Sequence, residues 1–276
     1  MRAAPLTYPK SGFWSNLLSG KKGLGKVPVL RRERTYSANP AQPTIYAIGD
    51  VHGRIDLLAK LHKSIDRDWS TRDRRGVVVE IYLGDLIDRG PGSANVIDAL
   101  LTRQTVRHCV FILGNHEVEF LHVMSGTAKP EQVMNWLRMG GAATAQSYGL
   151  SEIPRRIEQD TQRFMAALKK QVPETHRQFL KNCQLLYVAE PYLFVHAGIR
   201  PGLPLAKQSS VDLFSIREEF LLSDEKHEHV VVHGHTPVID VQFLSNRINV
   251  DTGAFATNRL SCVRLDNNGT ASLLTN

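Results

Sequence analysis

The sequence predicts an α/β (α+β) layered domain with a helical insertion, and three observations lead to that fold class. From Thr44 onward, short apolar runs alternate with stretches in which apolar residues recur every three or four positions. Residues 131–183 are mostly of this second, helical kind, and short apolar runs return after them. Of the 276 residues, 42% are hydrophobic, which is enough for a sizeable core. Alternating strands and helices followed by a strand-rich end are typical of layered α/β folds.

The alternation begins with a strand at Thr44–Ile48. A helix is predicted next from apolar residues on one face, namely Ile55, Leu58, Leu61, Ile65 and Trp69. The following elements are a strand at Val77–Leu83, a helix at Ser93–Leu101, a strand at Val106–Leu113 and a helix from Glu117. Pro154 and Pro173 are expected to interrupt the helices of the insertion. Short strands then follow at Leu185–Val188, Tyr192–Val195, His229–Val232, Arg247–Val250 and Leu260–Leu265.

Residues 1–40 differ in composition from the rest of the chain. They are rich in Gly, Pro, Ser and Lys without periodicity, which predicts a disordered extension before a domain at 41–276. This segment has eight basic residues and one acidic residue, so it accounts for the whole net charge of +7. No basic face is therefore expected on the folded part, and nucleic acid is not an expected partner.

Membrane and secretory features are not expected from the sequence. No run of 18 or more apolar residues occurs, so no transmembrane segment is predicted. The N-terminus lacks the charged, apolar and small-residue order of a secretory signal. Cys109, Cys183 and Cys262 are odd in number and widely spaced, which is typical of neither a disulfide framework nor a zinc site. A cytoplasmic location is the expectation, and the oligomeric state is left open.

Polar clusters follow five of the predicted strands. Each cluster contains residue types that bind metal ions, and the glycines within them permit tight turns. Ligands of open α/β sheets bind beyond the carboxyl ends of the strands, so these loops are expected to converge on one crevice. The clusters are Gly49-Asp50-Val51-His52-Gly53, Gly84-Asp85-Leu86-Ile87-Asp88-Arg89-Gly90, Gly114-Asn115-His116-Glu117, His196-Ala197-Gly198 and His233-Gly234-His235-Thr236.

The ligand types narrow the choice of metal. Carboxylates, an amide oxygen and imidazoles without thiolates suit manganese, iron or zinc. A shared carboxylate can bridge two such ions about 3.5–4 Å apart. Most of the remaining histidines are expected to be solvated or hydrogen-bonded, and these are His62, His108, His122, His176, His227 and His229. His233 is expected to pack near the site or to support a ligand.

At these clusters the sequence resembles the phosphoprotein phosphatase family, which belongs to the calcineurin-like metallophosphoesterases. The resemblance covers roughly residues 44–256. It implies a β-sandwich flanked by helices, with the site at the sheet ends. It also implies two metal ions, with manganese preferred over iron or zinc. In this scheme Asp50, His52 and Asp85 hold one ion, while Asp85, Asn115, His196 and His235 hold the other.

The resemblance also implies roles for four further residues. Arg89 and Arg217 match the family's phosphate-binding arginines. Asp88 occupies the position of a carboxylate that orients His116, which can then act as a proton donor. The implied reaction is hydrolysis of phosphoserine or phosphothreonine in a protein or peptide by a hydroxide bridging the two ions. Arg54 can assist the site or serve as a structural arginine.

Two other functions are compatible with the same residues. Symmetrical diadenosine tetraphosphate hydrolases and small-molecule phosphoesterases share the scaffold. The former usually have Ala-Arg-Gly where this chain has Asp88-Arg89-Gly90, and a nucleotide leaving group needs a proton donor less, which favours monoester hydrolysis. A non-catalytic binding protein is the third alternative. The insertion at 131–183 can be a lid, a docking surface or a scaffold.

Overall fold

The computed structural model describes residues 43–71, 77–151, 153, 157–266 and 271–276, without the side chains of 157–159. The extension predicted at 1–40 and the helix break predicted at Pro154 lie outside the described residues. None of the described helices has the length and apolar character that crossing a membrane requires. All three cysteines are free thiols.

Within the described residues, ten strands form two five-stranded sheets. The first sheet has the order β10-β9-β1-β2-β3, with β1, β2 and β3 parallel and β9 antiparallel to both of its neighbours. Its strands are β1 (Thr44–Ile48), β2 (Val78–Tyr82), β3 (His108–Phe111), β9 (Ser261–Leu265) and β10 (Ala271–Thr275). The register of its centre is set by the pairing of Thr44 with Val78.

The second sheet has the order β4-β5-β6-β8-β7, and β5, β6 and β8 run parallel. The antiparallel strands β4 and β7 form its two edges. Its strands are β4 (Leu186–Ala189), β5 (Tyr192–Val195), β6 (Val230–His233), β7 (Gln242–Phe243) and β8 (Arg247–Asn249).

The two sheets pack face to face around a buried apolar layer. Ala47 and Ile81 of the first sheet belong to the same cluster as Phe194 and Val232 of the second. The residues next to these on each strand point away from this layer, to the outer face of their sheet, because side chains alternate along a strand. The β-sandwich implied by the resemblance is therefore confirmed.

The outer face of the first sheet is covered by helices. Tyr46 and Ile48 of β1 share one buried cluster with Leu58 and Leu61 of helix α1. The burial follows the predicted three- and four-residue spacing. The helices of this layer are α1 (Ile55–Ser70), α2 (Ser93–Val106), α3 (Asn115–Met124), α4 (Pro130–Trp136), a π-helical turn (Leu137–Gly141), α5 (Ala142–Ser147), α6 (Ile157–Gln171) and α7 (Glu174–Lys181).

The outer face of the second sheet carries shorter helices. Leu213 and Phe220 pack there against Val195 and Val231. These elements are a 3₁₀ turn (Leu205–Lys207), α8 (Ser210–Ser215) and α9 (Glu218–Leu221). The last helix, α10 (Ala254–Thr257), instead packs through Ala254 against the core between the first sheet and its helical layer. The strands β8 and β7 form one end of the second sheet and lie beyond α9.

The predicted elements agree with the structure except at some boundaries. The strand predicted from Val106 begins at His108, because α2 continues to Val106, whose side chain is exposed. The strands β7 and β10 and the short helices α8–α10 were not predicted. Pro173 does interrupt the helices, since it directly precedes α7. Helices α4–α7 lie within the predicted insertion, and a separate role for that insertion stays a prediction.

A buried carboxylate beneath α1 and α2 is held by an ion-pair network. Glu80 on β2 is fully buried and accepts hydrogen bonds from Arg103 and from the hydroxyl of Tyr82. Arg103 also donates to both carboxylate oxygens of Asp66 at 2.8 and 2.9 Å. This network joins the first sheet to its helical layer.

Candidate metal centre and active site

The six predicted metal ligands lie together where the parallel strands end. Their loops follow strands of both sheets, and the described chain brings the loops to one edge of the sandwich, as the strand-end rule predicts. Two groups of side chains there can each hold a metal ion. The groups are His52, Asp85 and His116, and Asp85, His196 and His235.

Asp85 is common to both groups. Its Oδ2 lies 3.6 Å from Nε2 of His52, and its Oδ1 lies 3.4 Å from Nε2 of His196. Its main-chain carbonyl accepts hydrogen bonds from the N–H groups of Val51 and His52 at 3.1 and 2.8 Å. The carboxylate is thus placed between imidazoles from two different sheets, and the loops after β1 and β2 are joined directly.

Two of the imidazoles are oriented by main-chain carbonyls. Nδ1 of His52 donates to the carbonyl of Ile87 over 3.0 Å, and Nδ1 of His196 donates to the carbonyl of Leu83 over 2.7 Å. These contacts leave the Nε2 atoms directed at Asp85, and metal-binding histidines commonly have such a partner on the other nitrogen. Oδ1 of Asn115 lies 3.2 Å from Nε2 of His196, so it faces the same position.

His235 and Asp50 complete the ligand set. The main-chain N–H of His235 donates to both oxygens of Asp50, at 3.1 and 3.3 Å. Both ring nitrogens of His235 are buried and have no hydrogen-bond partner among the described residues. Buried polar atoms in proteins are nearly always satisfied, and a metal ion bound to the ring would satisfy one of these nitrogens.

The electrostatics of the centre favour cations. Burial, followed by the charges of Asp251 and Asp85, raises the pKa of Asp50 well above its usual value. Burial raises the pKa of Asp251 to about 6, and the charge of Asp85 adds to the effect. Burial lowers the pKa of His52 and of His235 to about 3, so both rings are neutral and can donate a lone pair. Crowded carboxylates beside neutral imidazoles are therefore a donor set suited to metal ions.

The backbone of the site is held in an uncommon conformation. Five of the six described non-glycine residues with positive φ are at the site, and they are His52, Asp85, Asp88, Arg89 and His235. Such conformations persist only where the surroundings enforce them. Close packing does so here, because a Cβ on Gly114 would meet Oδ1 of Asp85 at 2.2 Å.

Glu117 fastens the Asp85 loop. Its buried Oε2 accepts the main-chain N–H groups of Asp85 and Gly114 at 2.8 and 2.9 Å, and its Oε1 accepts that of Leu86 at 2.8 Å. These donors favour the charged carboxylate, but burial and the charge of Asp85 outweigh them and raise the pKa of Glu117 to about 7. The fourth residue of the Gly-Asn-His-Glu motif therefore holds the bridging aspartate in place.

Asp88 and His116 form a buried pair. Nδ1 of His116 lies 2.8 Å from Oδ2 of Asp88, and Nε2 of His116 faces Asp85 at 3.8 Å. Burial lowers the pKa of His116, but the two carboxylates outweigh burial and raise that pKa to about 9. Asp88 is thus placed where the predicted orienting carboxylate must lie.

The helical segment between β3 and β4 contacts this pair. Nε1 of Trp136 donates to Oδ2 of Asp88 over 3.0 Å, and Oγ1 of Thr144 donates to Oδ1 over 2.5 Å. The carbonyl of Gly140 accepts the main-chain N–H of Arg89 at 3.1 Å. This segment therefore contributes contacts that position the Asp88–Arg89 dipeptide.

The predicted phosphate-binding arginines reach the site from two sides. Arg89 is exposed, its Nη2 lies 3.2 Å from Nε2 of His116, and its guanidinium stacks 4.4 Å from the ring centre of Phe255. Arg217 is exposed at the start of α9, where its Nη1 donates to Oγ1 of Thr236 over 3.0 Å. Both guanidinium groups remain accessible to an anionic ligand.

Arg54 and His233 occupy supporting positions. Arg54 donates to both carboxylate oxygens of Asp56 and to the carbonyl of Ala254, which fits a structural arginine. His233 is buried against the ring of Phe220, as expected for a packing residue. Hydrogen bonds of the other histidines join His62 to Tyr82, His122 to Gln132, His176 to Tyr148 and Asp98, and His229 to Glu190, while His227 stacks on Phe220.

Sequence reasoning missed four residues at the site. Asp251 lies two residues after β8, the last parallel strand, so the rule that found the other clusters applies to Asp251-Thr252-Gly253 as well. Phe255, Trp136 and Thr144 carry no comparable signal, because their contacts join residues far apart in the chain. Trp136 and Asp88, for example, are 48 positions apart.

Comparison with known proteins agrees with this geometry. A family model described as calcineurin-like phosphoesterase matches residues 43–266. The fold is that of the metallophosphoesterases, a family of hydrolases that depend on a dinuclear metal centre. The chain belongs to the calcineurin-like phosphoesterase family.

Curated relatives carry a more specific name. The asymmetrical bis(5'-nucleosyl)-tetraphosphatase PrpE of Anoxybacillus flavithermus is 24% identical over 249 residues, covering 82% of this chain and 92% of the relative. The enzyme of the same name from Oceanobacillus iheyensis is 26% identical over 235 residues, covering 79% and 86%. A solved structure described as a candidate diadenosine tetraphosphatase has a TM-score of 0.56 at 18% identity, covering 86% of this chain and 98% of that chain. The structural similarity shows a shared fold.

Proposed function

We propose that this protein hydrolyses bis(5'-nucleosyl) tetraphosphates at a centre built for two metal ions. The observation that carries the reaction is the position of Asp85, which belongs to both ligand groups. A carboxylate shared in this way suits a pair of ions about 3.5–4 Å apart, the arrangement of two-metal hydrolases.

The ligand assignment follows the predicted set, in which Asp50 takes the place that His116 holds in the first group of the structure. One ion would be held by Asp50, His52 and Asp85. The other would be held by Asp85 together with Asn115, His196 and His235. When bound, the ions supply an activated water and neutralise charge on the phosphate. Manganese as the preferred metal and a cytoplasmic location stay predictions.

The chain's own residues then have separate tasks. Arg89 and Arg217 bind phosphate oxygens, for which the planar guanidinium provides paired donors. Phe255 restrains Arg89 by stacking on its guanidinium. Glu117 and the main-chain contacts of Asp85 keep the ligand loops in place, so that the phosphate meets an ordered site.

The choice of substrate is supported by the curated relatives. Those found in Anoxybacillus flavithermus and Oceanobacillus iheyensis are named as asymmetrical tetraphosphatases. The sequence alone leaves the symmetrical enzymes as the alternative, and the names of the relatives favour the asymmetrical type. Asymmetrical cleavage separates a nucleoside monophosphate from a nucleoside triphosphate.

Phosphoserine and phosphothreonine hydrolysis is the second candidate. It is favoured by the 2.8 Å contact between His116 and Asp88, because a serine alkoxide leaves more readily when a proton donor is in place. A nucleotide leaving group needs that donor less. The buried pair therefore keeps protein phosphatase activity as a specific alternative.

A comparison of substrates tests both candidates. The protein loaded with manganese would be assayed with diadenosine tetraphosphate, a phosphoserine peptide and an aryl phosphate. We expect the highest kcat/KM on the dinucleotide, with AMP and ATP as products. A higher value on the phosphopeptide would establish the second candidate, and two ADP molecules would make the cleavage symmetrical. Elemental analysis should find about two ions per chain.

A further inference from the structure

A cavity lies on the outer face of the second sheet, beyond α9. Its volume is about 550 Å³, within the range of roughly 300–1,000 Å³ that is typical of small-molecule sites. Its walls come from the last turn of α9, the loop after His235, β7 and β8. The residues that line it are Leu221, Thr236, Val238, Gln242, Phe243, Leu244, Arg247 and Asn249.

The cavity adjoins the metal centre through Thr236. This residue directly follows the predicted ligand His235, and its hydroxyl accepts the hydrogen bond from Arg217. The side-chain amide of Asn249 donates to the main-chain carbonyl of Thr236 over 2.9 Å, which fixes this part of the wall. A phosphate chain bound at Arg217 would therefore have the cavity mouth beside it.

The walls and floor of the cavity differ in polarity. Phe243 lines the cavity with 47% of its surface exposed, so its ring is accessible to a ligand. Arg247 lines the cavity and is buried, with 7% of its surface exposed. Its Nη1 and Nη2 donate to the carbonyls of Ser223 and Leu221, but within the described chain its Nε has no acceptor. A flat heterocycle with ring acceptors matches both features.

We propose that this cavity binds one nucleoside of the dinucleotide substrate. The base stacks on Phe243, and its acceptors face the polar floor at Arg247 and Asn249. Aromatic side chains stabilise stacked bases without regard to base identity, so purine and pyrimidine nucleosides are both admitted. The assignment rests on the proposed function, because it needs a substrate that carries a nucleoside beyond the phosphates.

The test compares a substitution in β7 with a control substitution four residues earlier in the chain. Phe243→Ala removes the stacking ring. Ile239→Ala is the matched control, because Ile239 is 88% exposed and does not line the cavity. Each variant and the parent protein would be assayed with diadenosine tetraphosphate and with p-nitrophenyl phosphate, which has no nucleoside. Binding of AMP would be measured in parallel by titration calorimetry.

We expect Phe243→Ala to lower kcat/KM on the dinucleotide about 5- to 100-fold, mainly through KM, as for other lost base–aromatic stacks. AMP binding should weaken in parallel, and p-nitrophenyl phosphate turnover should stay within about twofold, since stacking acts only on the base. Phe243→Tyr should restore the dinucleotide activity, and Ile239→Ala should match the parent.

The contrary outcomes are distinct. If the parent cleaves the dinucleotide and Phe243→Ala does so equally well, the nucleoside site is wrong and the proposed function stands. If Phe243→Ala lowers both activities alike, the residue acts through the fold and the site is again wrong. If the parent cleaves the aryl phosphate and leaves the dinucleotide intact, the proposed function and the nucleoside site are both overturned.

Discussion

Trp136 and His116 donate hydrogen bonds to the same oxygen of Asp88. The indole Nε1 lies 3.0 Å from Oδ2 and the imidazole Nδ1 lies 2.8 Å from it. Both donors are buried, so the carboxylate has little freedom to turn away from the histidine. The helical segment between β3 and β4 therefore supplies a contact that restrains Asp88, while the choice between lid, docking surface and scaffold for the insertion stays a prediction.

Trp136→Phe tests this positioning role. The phenyl ring keeps the packing against Phe120, while the hydrogen bond to Asp88 is lost. One such bond contributes about 0.5–1.5 kcal/mol, so we expect kcat to fall roughly 2- to 12-fold with KM unchanged. The loss should be larger on a phosphoserine peptide than on an aryl phosphate. Trp69→Phe on α1 is the control, and equal losses on both substrates would contradict the role.

Asp85→Asn should remove metal and activity together. The amide carries less charge and cannot bridge two cations as a carboxylate does, so both ligand groups lose their common member. Elemental analysis after reconstitution with manganese is the measurement. Asp56→Asn, which changes an exposed carboxylate paired with Arg54, should retain the metal content of the parent. Retention of two ions by Asp85→Asn would refute the bridging position.

His116→Ala distinguishes a proton donor from a metal ligand. The resemblance assigns the donor role, whereas the structure also places His116 within reach of His52 and Asp85. We expect the variant to keep its metal and to hydrolyse a phosphoserine peptide about 10²- to 10⁴-fold more slowly, the usual range for a lost general acid. An aryl phosphate should be affected less. Loss of one ion per chain would instead make His116 a ligand.

Glu117→Gln should loosen the centre without removing a ligand. The amide group would place its own N–H against main-chain donors of Asp85, Leu86 or Gly114, which the carboxylate accepts. Metal affinity should fall about 10- to 100-fold, the usual effect of removing a group that orients ligands. Metal titration is the measurement, and Glu131→Gln, at an exposed position on α4, should match the parent. Unchanged metal affinity would mean that the Asp85 loop keeps its conformation without the hydrogen bonds to Glu117.

Asp66 should make stability depend on acid. Hydrogen bonds from Arg103 lower the pKa of Asp66 to about 2, below the value of about 3.9 expected for an unfolded chain. A lowered pKa stabilises the fold above the unfolded value, and the contribution disappears as pH falls through the folded value. Asp66→Asn should therefore lower the urea midpoint equally at pH 7 and pH 5, with a smaller difference below about pH 4. Asp160→Asn, an exposed carboxylate, provides the baseline, and a difference that grows in acid would contradict the assignment.

The fold was largely predictable because its signals are local. Apolar runs gave the central strands, and the spacing of Leu58, Leu61 and Ile65 gave α1, since each pattern depends on neighbours in the sequence. The edge strand β7 has two residues and both are exposed, so no burial pattern marked it. The pairing of strands into two facing sheets depends on distant contacts, and it came only from the family resemblance.

The clustering of the candidate ligands was predictable for the same reason, up to a limit. These residues occur in short motifs after strands, so local patterns suffice to select them, and their role as ligands stays a prediction. Their support comes from elsewhere in the chain, as with Trp136 and Thr144 on Asp88. A contact between residues about 50 positions apart leaves no trace in a single sequence. Asp251 is the exception, because its position shortly after a predicted strand could have been recognised from the sequence.

The main-chain bonds from Val51 and His52 to the carbonyl of Asp85 join the two ligand loops through protein atoms alone. The placement of these two loops therefore does not depend on a bound ion, and metal ions held there would exchange without refolding of the sandwich. Oxygen and imidazole donors accept several first-row metals, and proteins select among them chiefly by geometry and availability. A centre of this kind would take the cation that its surroundings supply, so the metal in the reconstitution buffer would decide which ion is found in it.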